Sequence, residues 1–250
     1  MSSSFDRPSY HFKTLLFTHL WIIISLFTLF SPTTHFIWEW IDRTVFTTLN
    51  STLDIGRPWQ ILWALGNHKM ADWVEDVVIL ICCYIYVKQG PKELRLFRSS
   101  QMIFMVLFSA LIIFFINKII IRDIVNITRY SPTLVLENSI KLSDQISWLK
   151  IKDGSSKSFP GDHATTAQLF GLTFILLGSK PLKIFAGIYA IFLCLPRMIL
   201  GAHWFTDIFI GSGAIVLFFM SWAYCTPIAF YTSKGIEKFL RLFSRKEISA

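Results

Sequence analysis

Arg197, His203 and Asp207 stand in the stretch PRMILGAHWFTD, the histidine six residues after the arginine and the aspartate four after the histidine. On a helix a four-residue spacing puts two side chains on one face, close enough for a carboxylate to hold an imidazole. An imidazole fixed in this way is a nucleophile, and a neighbouring guanidinium holds anionic oxygen, so the set suits phosphoryl chemistry. A second stretch, KSFPGDHATT from Lys157, supplies His163 at the start of an apolar segment. A third, RDIVNITRYSP, supplies Arg122 and Arg129. Taken singly, each has an ordinary reading: a satisfied interfacial histidine, a helix start, two arginine anchors.

The elements that must position these groups are apolar. The chain has 250 residues, of which 53% are hydrophobic and 16% charged, with 24 Phe. A soluble domain carries about a quarter charged residues. Long apolar runs make this an integral membrane protein, and the length suits a single all-α helical bundle over residues 1–250. The net charge of +8 does not point to nucleic acid, because the excess basic residues flank the apolar runs. Cys82, Cys83, Cys194 and Cys225 lie inside apolar runs without metal-ligand spacing and read as small hydrophobes.

Six spans are expected. Residues 14–31 are the first, retained rather than cleaved, since no small-x-small site follows. Residues 32–72 are aromatic and interrupted, and read as short helices on the outer surface. Acids outnumber bases from Glu39 to Asp76, and Asn67 to Asp76 either anchors the chain at the interface or shapes a substrate entrance. The other spans fall at about 74–87, 101–121, 162–178, 184–200 and 205–230. Basic residues mark the loop Lys88–Arg98, the turn Lys180–Lys183 and the tail 234–250 as cytoplasmic. In that tail Ile236, Phe239, Leu240 and Phe243 form the apolar stripe of a helix suited to an anionic leaflet. With both termini inside, loop 122–160 and the turn at Gly201 face outward. Arg122, Arg129, His163, Arg197, His203 and Asp207 then share one membrane surface, and such a convergence of ionisable groups is hard to explain as packing. Lys118, Asp123, Lys141, Lys150, Lys152 and Lys157 read as snorkelling or solvated charges.

The three stretches together resemble the signature motifs of the type 2 phosphatidic acid phosphatase superfamily, K-x6-R-P, P-S-G-H and S-R-x5-H-x3-D. The likeness covers most of residues 60–225. Within the superfamily, SFPGDH, the R-x-SPTL run and PRMILGAHWFTDI are similar to the branch that moves a phosphoryl group from undecaprenyl diphosphate to the 1-phosphate of lipid A. The resemblance implies that His203 attacks phosphorus to form a phosphohistidine, that Asp207 bonds its far ring nitrogen, and that His163 is the general acid. It implies that Arg122, Arg129 and Arg197 hold the phosphate oxygens, that Gly161 and the first amides of the helix after it form an anion site, and that no metal or other cofactor is needed. It also implies a bacterial inner-membrane protein with a periplasmic site, and lipid partners.

Three departures stand out. Arg122 replaces the usual lysine, Tyr130 replaces the proline after the arginine, and PGDH replaces PSGH, which removes a hydroxyl and adds Asp162. That carboxylate would repel a phosphate if it pointed inward; it caps the helix, orients His163 or contacts an acceptor other than water. A phosphatase that gives the group to water shares the same residues. A non-catalytic lipid-binding membrane protein would not need the full Arg-His-Asp set. The sequence carries no statement on oligomeric state.

Overall fold

A computed structural model describes the main chain of residues 7–246 and the side chains as far as residue 242. The regular elements are helical, and no strand occurs among the described residues. Helix α1 is Phe12–Phe30. Its outward side chains, Phe17, Ile23, Ile24 and Phe27, are apolar and exposed, as expected where lipid rather than water is the solvent. Helix α2, His35–Ser51, follows a tight turn, and α3, Arg57–Asn67, starts with Pro58 in its first turn. His68 adopts an extended conformation and its Nδ1 accepts from the amide of Met70, 3.2 Å away, which opens α4, Lys69–Lys88.

Helix α5, Arg95–Leu111, runs on through π-helical turns over Ile112–Val125 and stops at left-handed Asn126. Two short turns, α6 (Pro132–Val135) and α7 (Leu142–Gln145), interrupt the polar loop. That loop is not featureless: Leu142, Ile146 and Ile151 pack with Leu53, Trp63 and Leu200 in a small core of their own. Helices α8 (Asp162–Leu177) and α9 (Lys180–Ile199) form a hairpin. A π-helical segment, Asp207–Ser212, leads into α10, Gly213–Cys225, and α11 is Ile228–Lys246.

The main core lies among α4, α5, α8, α10 and α11, where Tyr86, Met102, Phe170, Phe174 and Met220 are buried. Among the described residues, four helical stretches are long and apolar enough to cross a membrane: Phe12–Phe30, Lys92–Val125, Lys180–Ile199 and Asp207–Cys225. The other two expected spans differ for physical reasons. α8 has 16 residues, roughly 24 Å of helix against a hydrocarbon core of about 30 Å. α4 carries Asp72, Glu75 and Asp76 in its first half. The third expected span, 101–121, begins earlier and ends later, because the helix persists through Arg122. The tail is helical from Ile228 and packs along α5. There Ile236 turns to the core while Phe239 is exposed, and buried Glu237 accepts from Lys234 and Arg241 at 2.8 Å each. Phe243 lies beyond the described side chains.

Candidate active site

One end of the bundle gathers the C-terminal turns of the α5 extension and α9, the start of α8, and the junction before α10. His203 follows the end of α9 and is buried. Its Nδ1 lies 2.6 Å from the carbonyl oxygen of Ser158. A carbonyl only accepts, so Nδ1 carries the ring proton and Nε2 keeps its lone pair. Asp207 Oδ2 stands 3.7 Å from the same Nδ1. The carboxylate therefore supplies charge beside the ring, while the main chain makes the direct hydrogen bond that the sequence assigned to Asp207. Asp207 Oδ2 accepts from the amide of Trp204 at 2.8 Å, and Oδ1 accepts from Arg129.

Arg129 is held on both sides of its guanidinium. It donates to Asp207 and, at 2.9 Å, to Thr206 Oγ1 from one nitrogen, and to Asp42 Oδ2 at 2.7 Å from the other. Asp42, on α2, also accepts from the Thr206 amide at 2.8 Å and its hydroxyl at 2.6 Å. Two direct bonds from Thr206, and Arg129 bridging Asp42 to Thr206 and Asp207, thus tie α2 to the loop carrying the nucleophile candidate. In the position where proline was expected, exposed Tyr130 offers its carbonyl to Trp204 Nε1 at 2.8 Å, and the chain continues through Ser131, whose amide bonds Ser155.

Arg197 is buried near the end of α9. It donates to Asn67 Oδ1 at 2.6 Å and lies 2.9 Å from His163 Nε2. His163 Nδ1 faces Asp72 Oδ1 at 3.7 Å. Asp72, Glu75 and His163 bring oxygen and nitrogen donors within 4.8 Å of one another. Arg197 already supplies a fixed positive charge to both carboxylates, so the cluster reads as an acid pair balanced by a guanidinium.

Gly161 precedes α8, and a Cβ there would lie 3.6 Å from the His203 ring and 3.3 Å from Ala164. The bare backbone leaves room beside the nucleophile candidate, and no side chain caps the first amides of α8. Asp162 does not cap the helix. Its Oδ2 lies 3.5 Å from Arg122, and its Oδ1 accepts from Asn117 at 3.2 Å. Arg122 is thereby held at the rim, and the carboxylate expected to repel a phosphate is already matched to a cation.

The sequence predicts a solvated loop charge at Lys152, and the structure differs. The lysine lies beside Arg197, Arg122 and Asp162, and burial together with the two guanidiniums holds its ammonium below the ordinary lysine range. Lys157 reaches the Arg122 carbonyl at 3.3 Å. Asp42, Asn67, Asp72 and Lys152 belong to no motif of the sequence. Two signals bear on three of them: the acid excess from Glu39 to Asp76, which points to sidedness, includes Asp42 and Asp72, and Asn67 opens the stretch that either anchors the chain or shapes an entrance.

The end of the bundle that holds the His203 imidazole also gathers Arg122, Arg129 and Arg197, and this set is suited to taking up a phosphoryl group. The PAP2 superfamily matches residues 99–230, more than half of the chain and every one of the three stretches. The chain belongs to the PAP2 superfamily. It is 28% identical over 199 residues to lipid A 1-diphosphate synthase of Escherichia coli (strain K12), covering 79% of this chain and 81% of that one. No solved structure matches significantly. As a PAP2 protein it is an enzyme, a lipid phosphotransferase or phosphatase.

Proposed function

We propose that this PAP2 enzyme is a phosphotransferase that takes a phosphoryl group from undecaprenyl diphosphate onto His203 and passes it to the 1-phosphate of lipid A. The observation that carries the chemistry is the tautomer of His203. With Nδ1–H committed to Ser158, Nε2 is the nitrogen free to attack phosphorus. Asp207 stabilises the imidazolium that forms. Arg122 and Arg197 hold the non-bridging oxygens as charge builds, while Arg129 works from its carboxylate clamp. His163 gives a proton to the departing oxygen.

A cavity of about 520 Å³ supports a lipid substrate. Its walls include Leu62, Leu65, Val74, Phe192 and Leu193, and its polar end is His163 and Arg197 with the carboxylates Asp72 and Glu75. A phosphate at that end and a hydrocarbon tail along the walls match the division of the lining. The likeness to lipid A 1-diphosphate synthase supports the choice of donor and acceptor. In this reading α4 and α8 complete six spans, with the local thinning of the bilayer and the flanking protein that a short helix requires. The basic loops lie in the cytoplasm, and the site faces the periplasm across a bacterial inner membrane. Asp162, by restraining Arg122, contributes to the choice of an acceptor other than water.

The rival within the superfamily is hydrolysis, which uses the same residues. Purified protein is given terminally labelled undecaprenyl diphosphate with and without lipid A. Label on lipid A, and an acid-labile phosphoenzyme lost in His203→Ala, are the expected results. Free phosphate in both tubes with no labelled lipid A establishes the phosphatase. Full turnover by His203→Ala removes the phosphohistidine from the reaction.

A further inference from the structure

The two nitrogens of His163 face different partners. Nε2 lies 2.9 Å from a guanidinium nitrogen of Arg197, and a guanidinium only donates. Nε2 therefore accepts, and the single proton of the neutral ring is on Nδ1. That proton faces Asp72 Oδ1 at 3.7 Å, the separation that also relates His203 Nδ1 to Asp207 Oδ2. Among the described residues the active end thus holds two His–Asp pairs of the same Nδ1–Oδ separation, one buried and one half-exposed. One lies within a signature motif. In the other, Asp72 comes from α4 and falls outside residues 99–230, the part of the chain that the superfamily matches.

We propose that Asp72 is the positioning carboxylate of His163, setting its negative charge beside Nδ1–H and stabilising the imidazolium from which Nε2 gives up a proton. This assignment rests on the reading of His163 as general acid. In the resting arrangement Arg197 occupies Nε2. A bound phosphate is the stronger acceptor and draws the guanidinium away. Nε2 then takes a proton from water, which reaches the half-exposed ring, and the cation is held beside Asp72. His203 Nε2 forms the bond to phosphorus, and the bond from phosphorus to the bridging oxygen breaks. The proton passes from His163 Nε2 to that oxygen, and His163 returns to the neutral ring with Nδ1–H toward Asp72.

Burial opposes a cation on His163 before any neighbouring charge does, and a carboxylate offsets part of that cost. Arg197 from α9, Lys152 from the loop and His203 from the α9–α10 junction all oppose a second cation, whereas Asp72 from α4 favours one. Glu75 is one turn further along α4 and within 4.8 Å of the pair, so it is the natural comparison.

Full-length protein in detergent carrying Asp72→Asn, Asp72→Glu, Glu75→Gln or His163→Asn is assayed across pH on a lipid phosphate monoester and a lipid diphosphate. Asp72→Asn is expected to lower kcat by about tenfold or more with KM within about twofold of wild type. A general acid is lost as pH rises, and removing the carboxylate makes its cation harder to form. The alkaline limb of kcat therefore moves to lower pH, by about half to one unit. The loss is larger for the monoester, whose leaving alkoxide needs the proton, than for the diphosphate. Asp72→Glu recovers part of kcat, and Glu75→Gln moves the limb less. Wild-type kcat and limb in Asp72→Asn, while His163→Asn loses the limb, overturns the role of Asp72 alone. A change in KM only overturns it too, and places its effect on Arg197. A limb that survives in His163→Asn removes the general acid itself, a separate failure. Unchanged melting temperature across the variants keeps each outcome interpretable.

Discussion

Asp42 shows how much of the site depends on a residue that no spacing rule selects. Its two oxygens take three donors, the Thr206 amide, the Thr206 hydroxyl and Arg129, in a position almost without solvent. Replacing it by alanine leaves the guanidinium one carboxylate short and strands a buried amide. The expected cost is about 3 kcal/mol, read as a lower midpoint in thermal unfolding in detergent micelles. A fall in phosphoenzyme accompanies it, because Arg129 and Asp207 share the network. An unshifted midpoint would mean that solvent or another acceptor replaces Asp42 without loss. The sequence exposed Arg197, His203 and Asp207 because all lie in one short stretch, although His203 sits in the non-helical junction after α9 and does not share a helical face with Asp207. Asp42 and Asp72 meet the site only through tertiary packing, on α2 and α4, and an isolated carboxylate in an acidic stretch has no local pattern to betray its partner.

The helices were legible in proportion to their apolar length. α1, α9 and α10 were read from hydropathy, while the boundary between α3 and α4 was not, since the chain bends at His68 with almost no break in helical pattern. π-helical turns are equally silent in sequence. Both such segments abut the site, one carrying Arg122 near its end and the other opening with Asp207, as wide turns often do near functional groups. The α8–α9 hairpin is the element on which site geometry rests most directly, because α8 starts at the residue before His163 and α9 ends just after Arg197. Gly171 sets the approach of the two helices: a Cβ there would come within 2.7 Å of Ala190 Cβ. Gly171→Ala should push the hairpin apart and destabilise the fold by about 1–3 kcal/mol, and it should lower kcat more than a surface alanine of equal stability effect. Wild-type melting and turnover in that variant would show that the hairpin has slack at this contact.

At the scale of the whole molecule, the arrangement divides the work between two solvents. The charged groups collect at one end of the bundle, and the cavity that opens on them runs back along apolar faces of α3, α4 and α9. Ala71 lies on that wall, where its small side chain leaves the space that a tail would fill. Ala71→Trp should therefore discriminate between substrates by tail and not by head. For undecaprenyl diphosphate KM should rise about tenfold, the equivalent of losing roughly 1.4 kcal/mol of apolar contact. For a diphosphate on a tail of two isoprene units, too short to run along the wall, KM should stay within about twofold. A substitution that disturbed Arg197 or His163 would instead weaken both substrates alike, since the head group is common to them. Equal losses would place the tail elsewhere on the bundle, against the exposed faces of α1 or α5, and would leave the cavity with the head group alone.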